Sequence, residues 1–333
     1  MVMAQTLFIL LKRKFPESPL EVLAPAWSKP ILKRMPEVAA AVIMPVGHGE
    51  LAIGKRWRIA QTLRARNYRA AYVLPNSFKS ALIPMFAGIP ERVGWRGEMR
   101  FGLINDIRLL DEERYPLMVE RFAALAFEVD TPLPDPLPRP RLSVNSEAVN
   151  ELLARFQLDL SRAVAVLCPG AEFGPAKRWP ARHYRRVAEA WVARGGQAWI
   201  LGSDNDAVVG AEVCTGLEVS ARPHVHNLAG NTVLAEAVDL MACAAVVVSN
   251  DSGLMHIAAA LDRPLVAVYG SSSPAFTPPL AEHVEILSVP VDCGPCFQRE
   301  CPLGHLKCLN DLAPETVLAA IDRLAALGQV EPH

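Results

Sequence analysis

The sequence predicts an α/β fold made of two doubly wound domains, each with a parallel sheet covered by helices. Short apolar runs alternate with longer amphipathic segments along most of the 333 residues, as in parallel strands joined by crossover helices. Residues 131–140 contain five prolines, which predicts a stiff linker. We therefore expect a first domain at residues 1–130, a linker at 131–145 and a second domain at 146–333.

The first domain begins with an apolar segment that turns basic at residues 12–14, as suits the C-terminal end of a helix. Proline at the first turn favours a helix from Pro116, and Gly88 ends another. The patterns predict strands at 20–24, 40–44 and 70–74. They predict helices at 1–15, 26–35, 54–67, 77–87 and 116–127.

The second domain repeats the alternation. The patterns predict strands at 163–167, 197–201, 246–248 and 264–269. They predict helices at 181–194, 204–217, 233–242, 254–261 and 314–327. Because ligands of such sheets bind at the carboxyl ends of the strands, we expect the two domains to face each other across a binding cleft.

Composition narrows the class of protein. Residues 1–127 contain 19 Lys and Arg against 11 Asp and Glu, and the remaining residues contain 15 against 24. The first domain is therefore expected to bind an anionic partner, although solvated helix faces would give the same imbalance.

No apolar run reaches the length of a membrane span, and the order of apolar and basic residues at the N-terminus is opposite to that of a secretory signal. Seven cysteines, an odd number, fit a reducing cytosol.

Residues 245–260 carry the strongest local signal. A β-branched run predicts a buried strand, an Ala-rich run predicts a helix, and Asn250–Gly253 forms a polar hinge between them. Such a hinge directs free backbone N–H groups and the helix dipole at one point, which suits a phosphate. An ordinary strand-to-helix turn with a good N-cap has about equal weight. His256, on the first helical turn, is more often a packed histidine than a catalytic one.

A second loop, residues 168–180, follows the first strand of the second domain. Its glycines allow close backbone approach, and Lys177 and Arg178 precede a helix, where the dipole does not favour a cation. A phosphate ligand explains these cations better. The sequence contains neither the dinucleotide-binding glycine fingerprint nor the P-loop motif.

The first domain carries a Gly- and Arg-rich loop at residues 94–100 and a polar loop at 76–80. Guanidinium groups beside Trp95 suit a phosphorylated sugar, with the indole stacked on a sugar face. An exposed loop without a binding role has about even odds.

Four cysteines lie within 16 residues, at Cys293, Cys296, Cys301 and Cys308. Four thiols can hold Zn²⁺ tetrahedrally, but these spacings are not those of a standard zinc ribbon. A structural metal and free thiols have about equal weight, and disulfides are the third alternative.

The motifs at residues 75–82, 88–100, 169–180 and 250–256 together resemble the lipopolysaccharide heptosyltransferase II family, within glycosyltransferase family 9. The resemblance implies a GT-B fold with two Rossmann-like domains. It also implies inverting transfer of L-glycero-D-manno-heptose from ADP-heptose to heptosyl-Kdo2-lipid A, a phosphorylated lipid A-core acceptor. The enzyme would be cytoplasmic and peripheral to the cytoplasmic face of the inner membrane, with no nucleic-acid partner.

The resemblance also implies roles for individual residues. Lys177 and Asp251 would be the catalytic residues, with Lys177 stabilising the departing ADP. The other donor-binding residues would be Gly170, Glu172, Phe173, Thr232, Ser252, Gly253 and His256. The acceptor would contact Lys79, Arg96, Glu98 and Arg100. No divalent metal would be required, because Lys177 and the helix dipole can offset the developing charge.

One departure from the family pattern concerns the beginning of the sequence. Family members begin with a strand and a loop ending Gly-Asp, whose aspartate is the expected general base, whereas this sequence starts at the following helix. We expect the 333-residue form to be poorly soluble and inactive, and an upstream extension to restore both properties. If it is active, Glu98 becomes the candidate base.

Two further hypotheses remain beside the heptosyltransferase. One is another GT-B sugar-nucleotide transferase or epimerase with the same diphosphate site, which UDP-sugar turnover would identify. The other is a non-catalytic nucleotide-binding protein, which ADP binding without transfer would identify.

Overall fold

The chain divides at Pro138 into two units in the computed structural model, which describes residues 1–47 and 49–326. The first unit comprises Met3–Pro138, and the second begins at Arg139. The division falls inside the Pro-rich segment that we interpreted as a linker. In the parts of the chain that the structure describes, no helix is both long and apolar enough to cross a membrane.

The first unit contains five short strands and five α-helices among its described residues. The strands are β1 Glu21–Ala24, β2 Ala40–Ile43, β3 Ala70–Tyr72, β4 Glu91–Trp95 and β5 Asp106–Arg108. The helices are α1 Gln5–Lys14, α2 Lys29–Leu32, α3 Ile53–Arg64, α4 Phe78–Phe86 and α5 Met118–Ala123.

These strands form two separate parallel sheets, one with the order β1-β2 and the other with the order β3-β4-β5. The first three strands and all five helices overlap predicted elements. The sequence did not predict β4 or β5. In β4 two charged residues precede Val93 and a glycine follows it, and β5 has only three residues, so neither shows a clear strand period.

The second unit has six strands in one parallel sheet. The strands are β6 Val164–Cys168, β7 Gln197–Ile200, β8 Val225–Asn227, β9 Val246–Asn250, β10 Leu265–Tyr269 and β11 Val284–Ser288. The helices are α6 Ser146–Phe156, α7 Ala181–Ala193, α8 Ala207–Cys214, α9 Leu234–Met241, α10 Gly253–Ala260, α11 Lys307–Asn310 and α12 Pro314–Ala326.

The strand order of this sheet is β11-β10-β9-β6-β7-β8. Strands β6, β7, β9 and β10 are buried at every position, because helices cover both faces. The predicted parallel sheet is therefore present, with β9, from the strongest sequence signal, at its centre.

Several elements of the second unit were not predicted. β8 is short and polar, and β11 is a half-exposed edge strand, so neither has the continuous apolar pattern of the central strands. Helix α6 did leave a signal, since the side chain of Asn145 caps it by accepting hydrogen bonds from the backbone N–H groups of Glu147 and Ala148.

Candidate active site

Three neighbouring strands end at the same edge of the six-stranded sheet. Ser249, next to the end of β9, pairs with Cys168 at the end of β6, and Asn250 pairs with Val268 near the end of β10. Because the strands are parallel, the loops that follow them leave the sheet side by side. The loops at residues 169–180, 251–252 and 270–274 are thus brought together, as the sequence predicted.

A buried ion pair lies where these loops meet. The Nζ atom of Lys177 lies 2.5 Å from Oδ2 of Asp251, and the hydroxyl of Ser272 donates to the same oxygen at 2.5 Å. The side chain of Asp251 is 5% exposed and that of Lys177 is 16% exposed. Each of the three loops thus contributes one side chain to one charged cluster. Ser272 was not predicted.

The hinge between β9 and α10 differs in one respect from its prediction. Ser252 is the residue that precedes α10, and its side chain does not cap the helix, whereas a good N-cap was expected. The carboxylate of Asp251, one residue earlier, accepts from Lys177 and Ser272. The first turn of α10 therefore keeps N–H groups that no side chain of the N-cap residue satisfies, which is the arrangement that binds anions.

Phe173 also contacts the cation of this cluster. The Nζ atom of Lys177 lies 4.8 Å from the centre of the Phe173 ring, within the range of a cation–π interaction. The ammonium group is therefore held between an aromatic face and a carboxylate. A cation fixed in this way can neutralise charge without first having to be ordered.

Asn250 links two of the loops, a role that the sequence analysis missed. Its Oδ1 accepts from the backbone N–H of Trp179 and the hydroxyl of Tyr184, both at 3.0 Å, and its Nδ2 donates to the carbonyl of Pro169 at 2.7 Å. The residue is completely buried. It therefore fastens the loop that carries Lys177 to the end of β9.

Two glycines of the 169–180 loop make close contacts within the protein, and the donor-binding role of Gly170 stays a prediction. A Cβ atom at Gly170 would lie 2.2 Å from the carboxylate carbon of the buried Asp206. A Cβ atom at Gly174, whose φ is +150°, would lie 2.4 Å from the carbonyl oxygen of Arg299. Glycine is required at both positions because no side chain fits.

The remaining predicted donor-site residues lie along the same sheet edge. Glu172 is exposed and accepts from the side chain of Asn205, and Thr232 is half-buried in the loop after β8. Ser252 and Gly253 form the junction between β9 and α10. Their contact with a nucleotide stays a prediction.

His256 lies on the first turn of α10. Burial lowers the pKa of its imidazole to about 4. The charge of Lys177 lowers this pKa further, whereas the charge of Asp251 opposes the shift. The imidazole is therefore neutral at neutral pH, which suits a packed group beside the ion pair.

This lowered pKa predicts an acid-sensitive fold. Between about pH 6.5, the ordinary pKa of histidine, and about pH 4 the unfolded chain binds a proton that folded His256 does not, so the free energy of unfolding decreases as the pH falls. His256→Gln should remove up to about 3 kcal/mol of this decrease. Urea unfolding at pH 7 and pH 4.5 measures it. An equally steep loss of stability in the variant would contradict the prediction.

In the first unit, the loop after β4 holds three predicted acceptor residues in different settings. Arg96 is exposed, whereas Arg100 is buried and donates to the carbonyl of Pro75 at 2.7 Å and to Oδ1 of Asn76 at 3.1 Å. An Oε atom of Glu98 accepts from the backbone N–H of Phe78 at 2.7 Å, at the start of α4.

Lys79 and Trp95 lie beside this loop. Lys79 is half-buried in the first turn of α4. Trp95 is 6% exposed, and its indole N–H donates to the carbonyl of Arg121 at 2.9 Å. The interpretation of Trp95 as a stacking platform for sugar was wrong, because its ring is part of the interior.

The structure describes all seven cysteines and joins none of them in a disulfide, so the disulfide alternative for the four clustered cysteines is not supported. Backbone N–H groups, that of Leu306 foremost, lower the pKa of the Cys301 thiol, whereas burial raises the pKa of Cys308. Among the residues that the structure describes, no group of three or more His, Cys, Asp or Glu side chains is arranged to hold a metal ion.

The segment that carries these cysteines is joined to the ion-pair loops. The backbone N–H of Ala176 donates to the carbonyl of Arg299 at 3.1 Å, and the N–H of Phe297 donates to the carbonyl of Ser271 at 2.7 Å. The cysteine segment therefore supports two of the three loops that form the charged cluster.

Known proteins are similar to this chain in sequence and in fold. A family model described as glycosyltransferase family 9 (heptosyltransferase) matches residues 56–307. Lipopolysaccharide heptosyltransferase 2 of Escherichia coli K12 is 46% identical over 97% of this chain and 94% of its own length. Lipooligosaccharide heptosyltransferase 2 of Haemophilus ducreyi is 44% identical over 98% of this chain and 96% of its own.

The same similarity extends to three dimensions. The solved structure of E. coli ADP-heptose LPS heptosyltransferase II has a TM-score of 0.89 and 44% identity to this chain, over 99% of this chain and 96% of that one. A glycosyltransferase family 9 structure from Veillonella parvula has a TM-score of 0.82 at 18% identity, a likeness of fold alone. The α/β fold of GT-B form and the resemblance inferred from the sequence are confirmed.

Proposed function

We propose that this chain adds heptose to the inner core of lipopolysaccharide, because it belongs to glycosyltransferase family 9, the heptosyltransferases. The donor we propose is ADP-L-glycero-D-manno-heptose and the acceptor heptosyl-Kdo2-lipid A. The observation that carries the proposal is the buried cluster of Lys177, Asp251 and Ser272 at the carboxyl edge of the sheet. The near full-length identity to heptosyltransferases 2 supports it.

The reaction we propose inverts the anomeric carbon. A hydroxyl of the acceptor attacks that carbon as its bond to the ADP oxygen breaks, and the hydroxyl proton passes to a base. The electron pair of the broken bond leaves with ADP, so negative charge grows on the diphosphate. Stabilising this growing charge is the main task left to the protein.

Lys177 and the first turn of α10 are the groups that we assign to that task. The ammonium group is held by Asp251 and Phe173, and the backbone N–H groups of α10 add the positive end of the helix dipole. These groups supply positive charge within the protein, so we propose that transfer needs no metal cofactor.

A donor and acceptor assay tests the proposal. The purified protein is incubated with ADP-heptose and heptosyl-Kdo2-lipid A, and the mass of the acceptor is measured by mass spectrometry. We expect one added heptose, with an equal amount of ADP released. Turnover of UDP-sugars in place of ADP-heptose would identify another sugar-nucleotide enzyme, and ADP binding without transfer would identify a nucleotide-binding protein.

The proposed acceptor is anionic and embedded in a lipid layer. We therefore propose that the enzyme works at the cytoplasmic face of the inner membrane as a peripheral protein. Within the first unit, the exposed side chains of Arg96 and Glu98 and the half-buried Lys79 are our candidates for contact with the acceptor. If Glu98 is the base, the proton can pass to the carboxylate oxygen that does not accept from the N–H group of Phe78.

The different settings of Arg96 and Arg100 give a prediction. Arg96→Gln should raise the KM for the acceptor by about tenfold, because a charge-assisted contact is lost, and should leave the affinity for ADP-heptose unchanged. Arg100→Gln should instead lower the free energy of unfolding by about 2–4 kcal/mol, because buried carbonyls lose their donor. Steady-state kinetics and urea unfolding separate the two effects. A change in donor affinity from Arg96→Gln would contradict the assignment.

A structural zinc ion at Cys293, Cys296, Cys301 and Cys308 stays a prediction. We propose for it no part in the transfer, only the support of the segment that holds Ala176 and Ser271 in place. Zinc analysis of protein purified under reducing conditions decides between the alternatives. About one zinc per chain would support the metal, and less than about a tenth would support free thiols.

A further inference from the structure

Among the exposed large apolar side chains of the first unit, four lie in the segments that follow β1 and β2. Trp27 is 67% exposed, Trp57 is 53% exposed, Ile53 is 52% exposed and Leu51 is 47% exposed. The other four of the six tryptophans are at most 7% exposed. A tryptophan left in water is unfavourable by about 1.5–3 kcal/mol relative to burial, so two of them require an explanation.

The segments that carry these side chains follow two strands that end at one edge of a sheet. Strands β1 and β2 are parallel, and their last residues, Ala24 and Ile43, are paired. Trp27 lies three residues beyond the end of β1, and the segment with Leu51 follows the end of β2. Both segments therefore leave the same edge.

Helix α3 presents two of these side chains on one face. Ile53 and Trp57 are four residues apart, one turn of the helix, and lie beside the buried stripe formed by Arg56, Ala60 and Leu63. In the first two turns, the exposed side chains of the helix are therefore both apolar and basic, with Ile53 and Trp57 next to Lys55 and Arg58. This is the pattern of a helix that lies in an interface.

The start of α3 is held firmly by a buried arginine. Arg56 is 3% exposed, and its guanidinium donates to the carbonyls of Leu51 at 2.7 Å, Glu50 at 3.0 Å and Lys79 at 3.1 Å. The segment before the helix is thus tied to the start of α4. The apolar side chains are displayed by a fixed backbone.

Positive charge accompanies the apolar side chains. Lys55 and Arg58 are exposed on α3, and Lys33 is exposed just after α2, which follows Trp27. Glu50 lies 3.6 Å from Lys55 and is an acidic neighbour. Cations beside exposed tryptophans match a layer of anionic headgroups over acyl chains, because indoles prefer the boundary between water and lipid.

We propose that Trp27, Leu51, Ile53 and Trp57 form a membrane-docking surface that enters the headgroup region of an anionic phospholipid bilayer. Lys55 and Arg58 would contact the lipid phosphates. The inference rests on the proposed function, which places the acceptor in a membrane, and it adds the residues that bring the enzyme to that membrane.

Tryptophan fluorescence gives a direct test, because Trp27 and Trp57 are the two exposed indoles. The full chain is mixed with vesicles of phosphatidylglycerol and phosphatidylethanolamine that contain no acceptor. We expect a blue shift of the emission, and quenching by lipids brominated in the acyl chain near the headgroup. Unchanged emission at saturating vesicle binding would overturn the proposal.

Substitutions test which side chains are responsible. The double variant Ile53→Ser and Trp57→Ser should bind these vesicles at least tenfold more weakly. Lys55→Gln and Arg58→Gln should each weaken binding about fivefold. Val208→Ser with Val219→Ser removes exposed apolar side chains of the second unit, and Arg186→Gln removes an exposed cation there. These control variants should bind as the unchanged protein does.

Two outcomes would defeat the inference without touching the proposed function. One is unaltered vesicle binding by the Ile53→Ser and Trp57→Ser variant, with Trp27→Ser also unaltered. The other is equal binding to neutral phosphatidylcholine vesicles. Transfer to a deacylated, water-soluble acceptor should be unchanged in all these variants. If the unchanged protein transfers no heptose to heptosyl-Kdo2-lipid A, the proposed function fails, whereas the vesicle result still decides the docking surface.

Discussion

Lys177→Met should lower the rate of heptose transfer by about tenfold to a hundredfold, because the departing diphosphate loses a charge-assisted contact. Methionine keeps most of the volume and removes the charge. The substitution also leaves the carboxylate of Asp251, which is 5% exposed, without its cation. Breaking such a pair typically costs about 3–5 kcal/mol of stability. Single-turnover rates and urea unfolding, measured on the same preparation, separate the two effects.

A second variant separates catalysis from stability at this site. Combining Lys177→Met with Asp251→Asn removes both charges, so stability should largely return while transfer stays slow. A full transfer rate in either variant would remove Lys177 from the catalytic site. Recovery of both stability and rate in the double variant would mean that the ion pair is only structural.

Asn250→Ala should lower the free energy of unfolding by about 2–4 kcal/mol, because buried groups that hydrogen-bond to the amide oxygen and to the amide nitrogen lose their partner. The N–H group of Trp179 and the carbonyl of Pro169 would be left unpaired in the interior. Since Asn250 fastens the loop of Lys177 to β9, affinity for ADP should fall together with stability. Urea unfolding and calorimetric titration of ADP measure the two.

Asn150→Ala is the matched control. Asn150 is exposed on α6, so its substitution should change neither stability nor ADP affinity appreciably. Loss of stability in Asn250→Ala with full ADP affinity would show that the loop keeps its position without this amide.

The charged cluster could be predicted from the sequence because its parts follow strands. A β-branched run marks β9, an apolar run marks β6, and parallel strands must end at a common edge. The sequence pattern alone is therefore enough to place the loops of Asp251 and Lys177 at one edge of the sheet, and the resemblance to the family assigned both residues to one site. That they form a direct ion pair depends on the path of the loop after β6, which has no periodic pattern.

Other parts of the site could not be inferred from residue types alone. Arg96 and Arg100 look alike in the sequence, but the loop turns Arg100 inward, where carbonyl groups need a donor. Trp95 suits a sugar face by its chemistry, yet the packing of the unit buries it. Asn250 was treated as one member of a polar hinge, because the pattern does not indicate which side chain points into the protein.

The divided sheet of the first unit has a consequence for how the chain loses its structure. In the second unit, backbone pairing is continuous from β11 to β8, so no strand can separate without breaking the pairing of its neighbours. Strands β1 and β2 share no hydrogen-bonded ladder with β3, β4 and β5. The two sheets of the first unit are therefore joined through side chains, with Leu23, Val42 and Ala71 packed against one apolar cluster, and we expect amide exchange and proteolysis to begin in this unit. A nucleotide bound to the second unit would protect the part of the chain that is already the more cooperative.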